Sequence, residues 1–270
     1  MKSGLALFVH SARRARTLIL TVAALLVLFQ VLLTLGAESL QKATSFPRLA
    51  ALIPDVFRQV LGPSLLTMLS FSGIACLGYF HVAVLAVLVG LMIALGTEPA
   101  GEAETRFLDL VLAHPVARHW VITRTIALLV TCAALLAGAM MLGSGLGLYY
   151  LVSSDLARAA FRPVPKLSLN LAVLMVGWGG IALAMATTVH RRSVAAARTA
   201  LLAAAFYMVD LIAQVWKPLK PLARYSPFHY YNALSVITGS GNASSDIIIL
   251  ACVACASFLL AYIIFQYRDL

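Results

Sequence analysis

Glu98, Glu102, Glu104 and Asp109, four of the chain's ten acidic residues, fall between Thr97 and Arg124, the most charged island between two long apolar segments. Carboxylates at this density, interleaved with Arg106 and followed by Arg118 and His119, suit charged contacts with a partner surface or with water. Read as a helix over Gly101–Ala113, the stretch puts Phe107, Leu108, Val111 and Leu112 on one face and Glu102, Arg106 and Asp109 on the other. Pro115 ends it, because proline lacks an amide donor and disfavours helical geometry at His114 before it. Two readings stand side by side: a short amphipathic helix that lies at a membrane surface and presses on a partner, or a solvated loop with no partner.

The remaining chemistry-bearing residues are scattered. Asp210 lies in an apolar run, seven residues before Lys217. A carboxylate within a membrane is costly enough to be a candidate for contacting substrate or a basic partner. The competing reading places it near the outer end, against water or a neighbouring helix, with Gln214 one turn further out. His81, in another apolar run, reads as a hydrogen-bonded packing residue rather than a ligand. Cys252 and Cys255 form a C-x-x-C inside a hydrophobic span without a second pair or a His cluster, so with Cys76 and Cys132 they read as small apolar fillers. Asn242, Ala243 and Ser244 match a glycosylation sequon, which matters only in a eukaryotic secretory pathway.

The elements that must position these groups are apolar helices. The 270 residues are 62% hydrophobic and only 11% charged, where a soluble domain carries about a quarter charged residues. That is the composition of an all-α polytopic membrane protein. The net charge of +10 does not point to nucleic acid, because the basic residues stand in ones to threes between apolar spans, as membrane topology requires.

Taken in order, Thr17–Leu35 is apolar and long enough to cross a bilayer about 30 Å thick, which reads as an uncleaved first span rather than a signal peptide. Further spans are predicted at about 74–96, 125–150, 167–189, 199–216 and 246–267, making six in a single transmembrane domain over residues 1–270. The stretch between the first two spans holds Pro47, Pro54 and Pro63 and a short helix from Asp55. Gly138, Gly143, Gly145 and Gly147 in the third span suggest a nucleotide loop only superficially; no Gly-Lys-Ser/Thr follows, and close helix packing in lipid explains them better. Residues 151–166 read as a short outer loop. Both termini are predicted on the cytoplasmic side, which then holds Lys2, Arg13, Arg14, Arg16, Arg106, Arg118, Arg124, Arg191, Arg192, Arg198 and Arg268, eleven of the twenty basic residues.

An acidic cluster, then FLDLVLAHPVAR, then a basic residue opening the next span resembles the type-2 permease family of ATP-binding-cassette exporters. The segment from Tyr225 to Tyr231, YSPFHYY, is similar to that family's SPF segment in the last outer loop, and the closing FQYRDL from Phe265 is similar to its F-x-x-R-D-L. With six spans, the resemblance covers essentially the whole chain.

The resemblance implies a transmembrane subunit with no ATPase activity of its own, in keeping with a sequence that has no G-x-x-x-x-G-K-[ST] loop. ATP and magnesium would then belong to a separate ATPase chain, this chain carrying no cofactor, most simply with two copies of each subunit in lipid, the second permease being a copy of this chain or a related one. The helix of about 101–114 becomes a cytoplasmic coupling helix, with Phe107, Leu108 and Leu112 as anchors, Pro115 as its stop, and Glu102, Glu104 and Arg118 as polar contacts. Pro227, Phe228 and Tyr231 would belong to a re-entrant outer segment that, with Asp210, borders the translocation path. The location implied is a bacterial inner membrane. The competing class is an integral membrane enzyme using His81, Asp210, His229 and the outer-loop arginines, which would require those groups to converge at one membrane depth. A secondary transporter would call for matching broken helices or an internal repeat, and neither is evident in the sequence.

Overall fold

The computed structural model describes residues 2–42, 70–106, 119–239 and 243–267. Every regular element among them is helical: α1 (Lys2–Lys42), α2 (Phe71–Ala75), α3 (Leu77–Phe80), α4 (Val82–Gly96), α5 (Glu98–Glu104), α6 (His119–Leu151), α7 (Ser154–Phe161), α8 (Val164–Thr188), α9 (Arg192–Val215), α10 (Lys220–Ala223), α11 (Ala233–Thr238) and α12 (Ala243–Gln266), with 3-10 turns at Lys217–Leu219 and Pro227–Tyr230. Five helices are long and apolar enough to cross a membrane: α1, α6, α8 with α7 leading into it, α9 and α12. A sixth is reached only if α4 and α5, bent by 42° against each other, count as one. This is a multi-pass membrane architecture.

The second predicted span is therefore corrected. Instead of one helix over 74–96 there are three pieces, interrupted at Cys76 and at His81, whose backbone is extended (φ −68°, ψ 125°). Ser70 starts the first piece by accepting the Gly73 N–H at 3.1 Å. A break among apolar helices is tolerable only where the freed backbone groups find partners inside the protein, and the Tyr79 carbonyl finds the hydroxyl of Tyr231 at 2.6 Å. His81 stands exposed at the break, edge-on to Phe29 with ring centroids 6.1 Å apart, rather than hydrogen-bonded in a packed interior. The outer loop expected at 151–166 is also largely helical; Asp155 in the first turn of α7 and Arg158 in its last suit the helix dipole. The short helix expected from Asp55 and the sequon at Asn242 lie outside the described residues.

α8 is the central helix. Leu167, Leu171, Leu174, Met175, Trp178, Ala182 and Leu183 are fully enclosed by α4, α6, α9 and α12. A helix that is apolar all round needs protein or lipid on every side, and α8 is enclosed by its neighbours. α1 packs along α6, where Gly143 and Gly147 admit it: a side chain at Gly143 would strike the Val27 carbonyl at 2.8 Å, and one at Gly147 would strike Thr34 at 2.7 Å. Gly138 meets nothing, so only part of the glycine run serves packing.

Candidate functional site

The charged island turns inward. α5 begins at Glu98, directly after Thr97, whose hydroxyl bonds back to the Ile93 carbonyl at 2.9 Å, and proline sits in its first turn at Pro99. Ala100 packs against Ala186 of α8 and Ala195 of α9, three small side chains that let the short helix seat closely. Glu98, Pro99, Ala100 and Glu102 are buried as a result. The helix stops early: the Thr105 N–H closes on the Gly101 carbonyl at 3.1 Å, and Arg106 takes a left-handed φ of 57°. This corrects the continuous helix expected over 101–114. Phe107, Leu108, Leu112, Pro115 and Arg118 lie outside the described residues.

Four charged side chains tie α5 to the spans. Glu102 forms an ion pair with Arg124 near the start of α6, with side chains only 10% and 2% exposed. Glu104 accepts the backbone N–H of Arg192 at 3.0 Å, an acidic cap on the positive end of α9. Arg192 in turn donates from Nη2 to the Ala94 carbonyl at 2.9 Å, in the last turn of α4. Burial, and next the neighbouring Glu102, raise the Glu98 carboxyl above its ordinary 4.5, while Arg124, Arg14 and Arg192 draw it back. A cavity of about 460 Å³ opens between this knot and the His10–Arg14 stretch of α1, lined by His10, Arg14, Glu98, Glu102, Glu104 and Arg192 among others.

The opposite end of the bundle holds the other predicted residues. Asp210, near the end of α9, is part-buried, and its Oδ1 lies 3.3 Å from Nδ1 of the exposed His229. Ser226 caps the 3-10 turn at Phe228 and donates to the Phe206 carbonyl of α9 at 3.1 Å. That turn carries Pro227 and Phe228 into the interior, where the Phe228 ring lies 5.3 Å from Trp178 and 5.4 Å from Tyr207. Tyr231, also buried, reaches the break after Tyr79. Asp210, Pro227, Phe228 and Tyr231 thus belong to one neighbourhood.

Arg192 enters the sequence reading only as a topology signal and Arg124 also as the basic residue closing the island and opening the next span, yet together they organise the knot. Their partners lie 22 and 88 residues away, beyond any local pattern. Tyr79, Ser144 and Ser168, joined at 3.3 and 3.1 Å within the apolar bundle, were likewise passed over, and the mark they carry is polarity inside apolar runs. His81 does not converge with Asp210 and His229 in any contact of the described residues. Cys76, Cys132, Cys252 and Cys255 are free thiols, and among the described residues no group of three His, Cys, Asp or Glu side chains is placed to hold a metal ion. Comparison with family models, with curated proteins and with solved structures finds no match to this chain.

Proposed function

We propose that this chain is the transmembrane permease subunit of an ATP-binding-cassette exporter, working as a pair of permeases with a separate ATPase chain that binds ATP and magnesium. In this reading the α5 end of the bundle and both termini face the cytoplasm of a bacterial cell, and the segment around Phe228 faces outward. The observation that carries the proposal is the attachment of α5. A push on the residues that follow it would be delivered through Glu102 to Arg124 and α6, and through Glu104 to Arg192 and α9. A stiff joint of this kind converts closure of an ATPase dimer into movement of whole spans. The residues expected to touch the ATPase are Phe107, Leu108, Leu112 and Arg118; Glu102 and Glu104 hold the joint from within.

The test is co-purification in detergent with the ATPase encoded beside this chain, comparing wild type with Phe107→Asp. Wild type is expected to retain the ATPase in a near-equal ratio and the variant to lose it while remaining folded. Absence of any ATPase, or equal retention by the variant, overturns the proposal and favours the enzyme reading built on Asp210 and His229.

A further inference from the structure

At the end of the bundle away from the α5 knot, a second cavity of about 460 Å³ lies where the junction of α7 and α8 meets α11. Arg162 and Lys166 line it together with Ala159, Val236, Ile237 and Thr238, and no acidic side chain is among its described lining. The backbone keeps right-handed helical geometry through Arg162 and Pro163, so α7 runs on into α8. Arg158, Arg162 and Lys166 therefore stand one turn apart on one helical face, and all three are exposed. None of them forms an ion pair among the described residues. Like charges one turn apart repel each other, and the two at the cavity gain from an anion set between them. Topology alone does not account for them: in the proposed orientation this end faces outward, where basic residues are not favoured.

Two features set the cavity at the membrane boundary. α7 packs against α6, whose last turn carries Tyr149 and Tyr150, 79% and 75% exposed, as side chains of an aromatic belt are. One turn inward from Lys166, Leu169 is the exposed large apolar side chain of α8, at 54%. An apolar track thus leads from the cavity toward hydrocarbon. The volume lies within the range of small organic ligands, about 300–1,000 Å³, and exceeds what a bare inorganic ion needs. The arginine fork takes two phosphate oxygens and the lysine adds a point charge, a pairing suited to a phosphodiester.

We infer that this cavity binds the headgroup of an anionic phospholipid, its phosphate held between Arg162 and Lys166 and its acyl chains leaving past Leu169. The site goes beyond the permease reading, since it uses neither the α5 knot nor an ATPase.

The experiment uses the full-length protein in a non-ionic detergent, titrated with dihexanoyl phosphatidylglycerol, dihexanoyl phosphatidylcholine or inorganic phosphate. Binding is read by thermal shift and by native mass spectrometry. Wild type is compared with Arg162→Gln, Lys166→Gln and the two changes combined. The control combines Lys220→Gln with Arg224→Gln, which removes two exposed cations of the same spacing outside the cavity. All four side chains are exposed, so the variants are expected to unfold at the wild-type temperature without lipid. Phosphatidylglycerol is expected to bind wild type and control alike, and each single variant about tenfold more weakly, the loss of one charge-assisted hydrogen bond. Phosphatidylcholine, which brings its own cation, and inorganic phosphate, which lacks the chains, are each expected to bind wild type at least about tenfold more weakly than phosphatidylglycerol. Equal phosphatidylglycerol binding by wild type and the combined cavity variant overturns the inference, as does an equal loss in the control. Phosphatidylcholine binding as tightly as phosphatidylglycerol overturns the requirement for an anion. Inorganic phosphate binding as tightly makes this a free-anion site and overturns the lipid assignment.

Discussion

The hydroxyl of Tyr231 donates at 2.6 Å to the main-chain carbonyl of Tyr79, 152 residues earlier, at the point where the second apolar segment ceases to be helical. One phenol thus closes the gap left by a broken helix and anchors the inserted turn. Tyr231→Phe keeps the ring and deprives the carbonyl of its partner, with an expected loss of about 1–3 kcal/mol. Thermal unfolding in nanodiscs checks it against Tyr225→Phe, an exposed position expected to stay within about 0.5 kcal/mol of wild type. Equal behaviour of the two variants would show that the contact does not support the break.

Arg124 and Glu102 form a buried pair, so each depends on the other more than on water. Arg124→Met or Glu102→Leu alone leaves one charge buried without its partner and is expected to cost about 3–5 kcal/mol. The double variant, apolar on both sides, is expected to cost less than either single change. A double-variant cycle on unfolding free energies decides the matter; additive losses would refute a direct pairing.

Glu98 gives a pH dependence. Its carboxyl, raised above 4.5 mainly by burial, holds a proton more tightly in the folded chain than in the unfolded one. The stability gained from that proton is fully present below about pH 4.5 and is lost as pH rises through the folded-state value. Glu98→Gln, which stays neutral, is expected to match wild type below pH 4.5 and to become progressively more stable than wild type above it. Unfolding of both proteins across pH 4 to about 8 measures the difference. A constant offset at every pH would exclude titration of this group.

Long apolar runs located α6, α8, α9 and α12, because burial in lipid demands length and apolarity and both are written locally. The break at His81 was not legible, since Leu77–Gly96 stays apolar and contains no proline; what holds it open is Tyr231, on a distant segment. Glu102 was placed on a solvent face by helical periodicity counted through Phe107. The helix ends before that residue, at the left-handed Arg106, and Arg124 draws Glu102 inside. Pro227, Phe228 and Tyr231 were singled out together, and their common insertion follows from an aromatic-rich, proline-started turn.

α6 carries no charge from Thr125 to Leu151, a helical length of about 40 Å where a bilayer offers about 30 Å of hydrocarbon. A hydrophobic length in that excess leaves room for the helix to cross at a tilt. Tilting α6 displaces the end where Arg124 grips Glu102, and α5 travels with it. A change in bilayer thickness would thus bear on the charged knot through a helix whose tilt is set by its packing on α1 and α8.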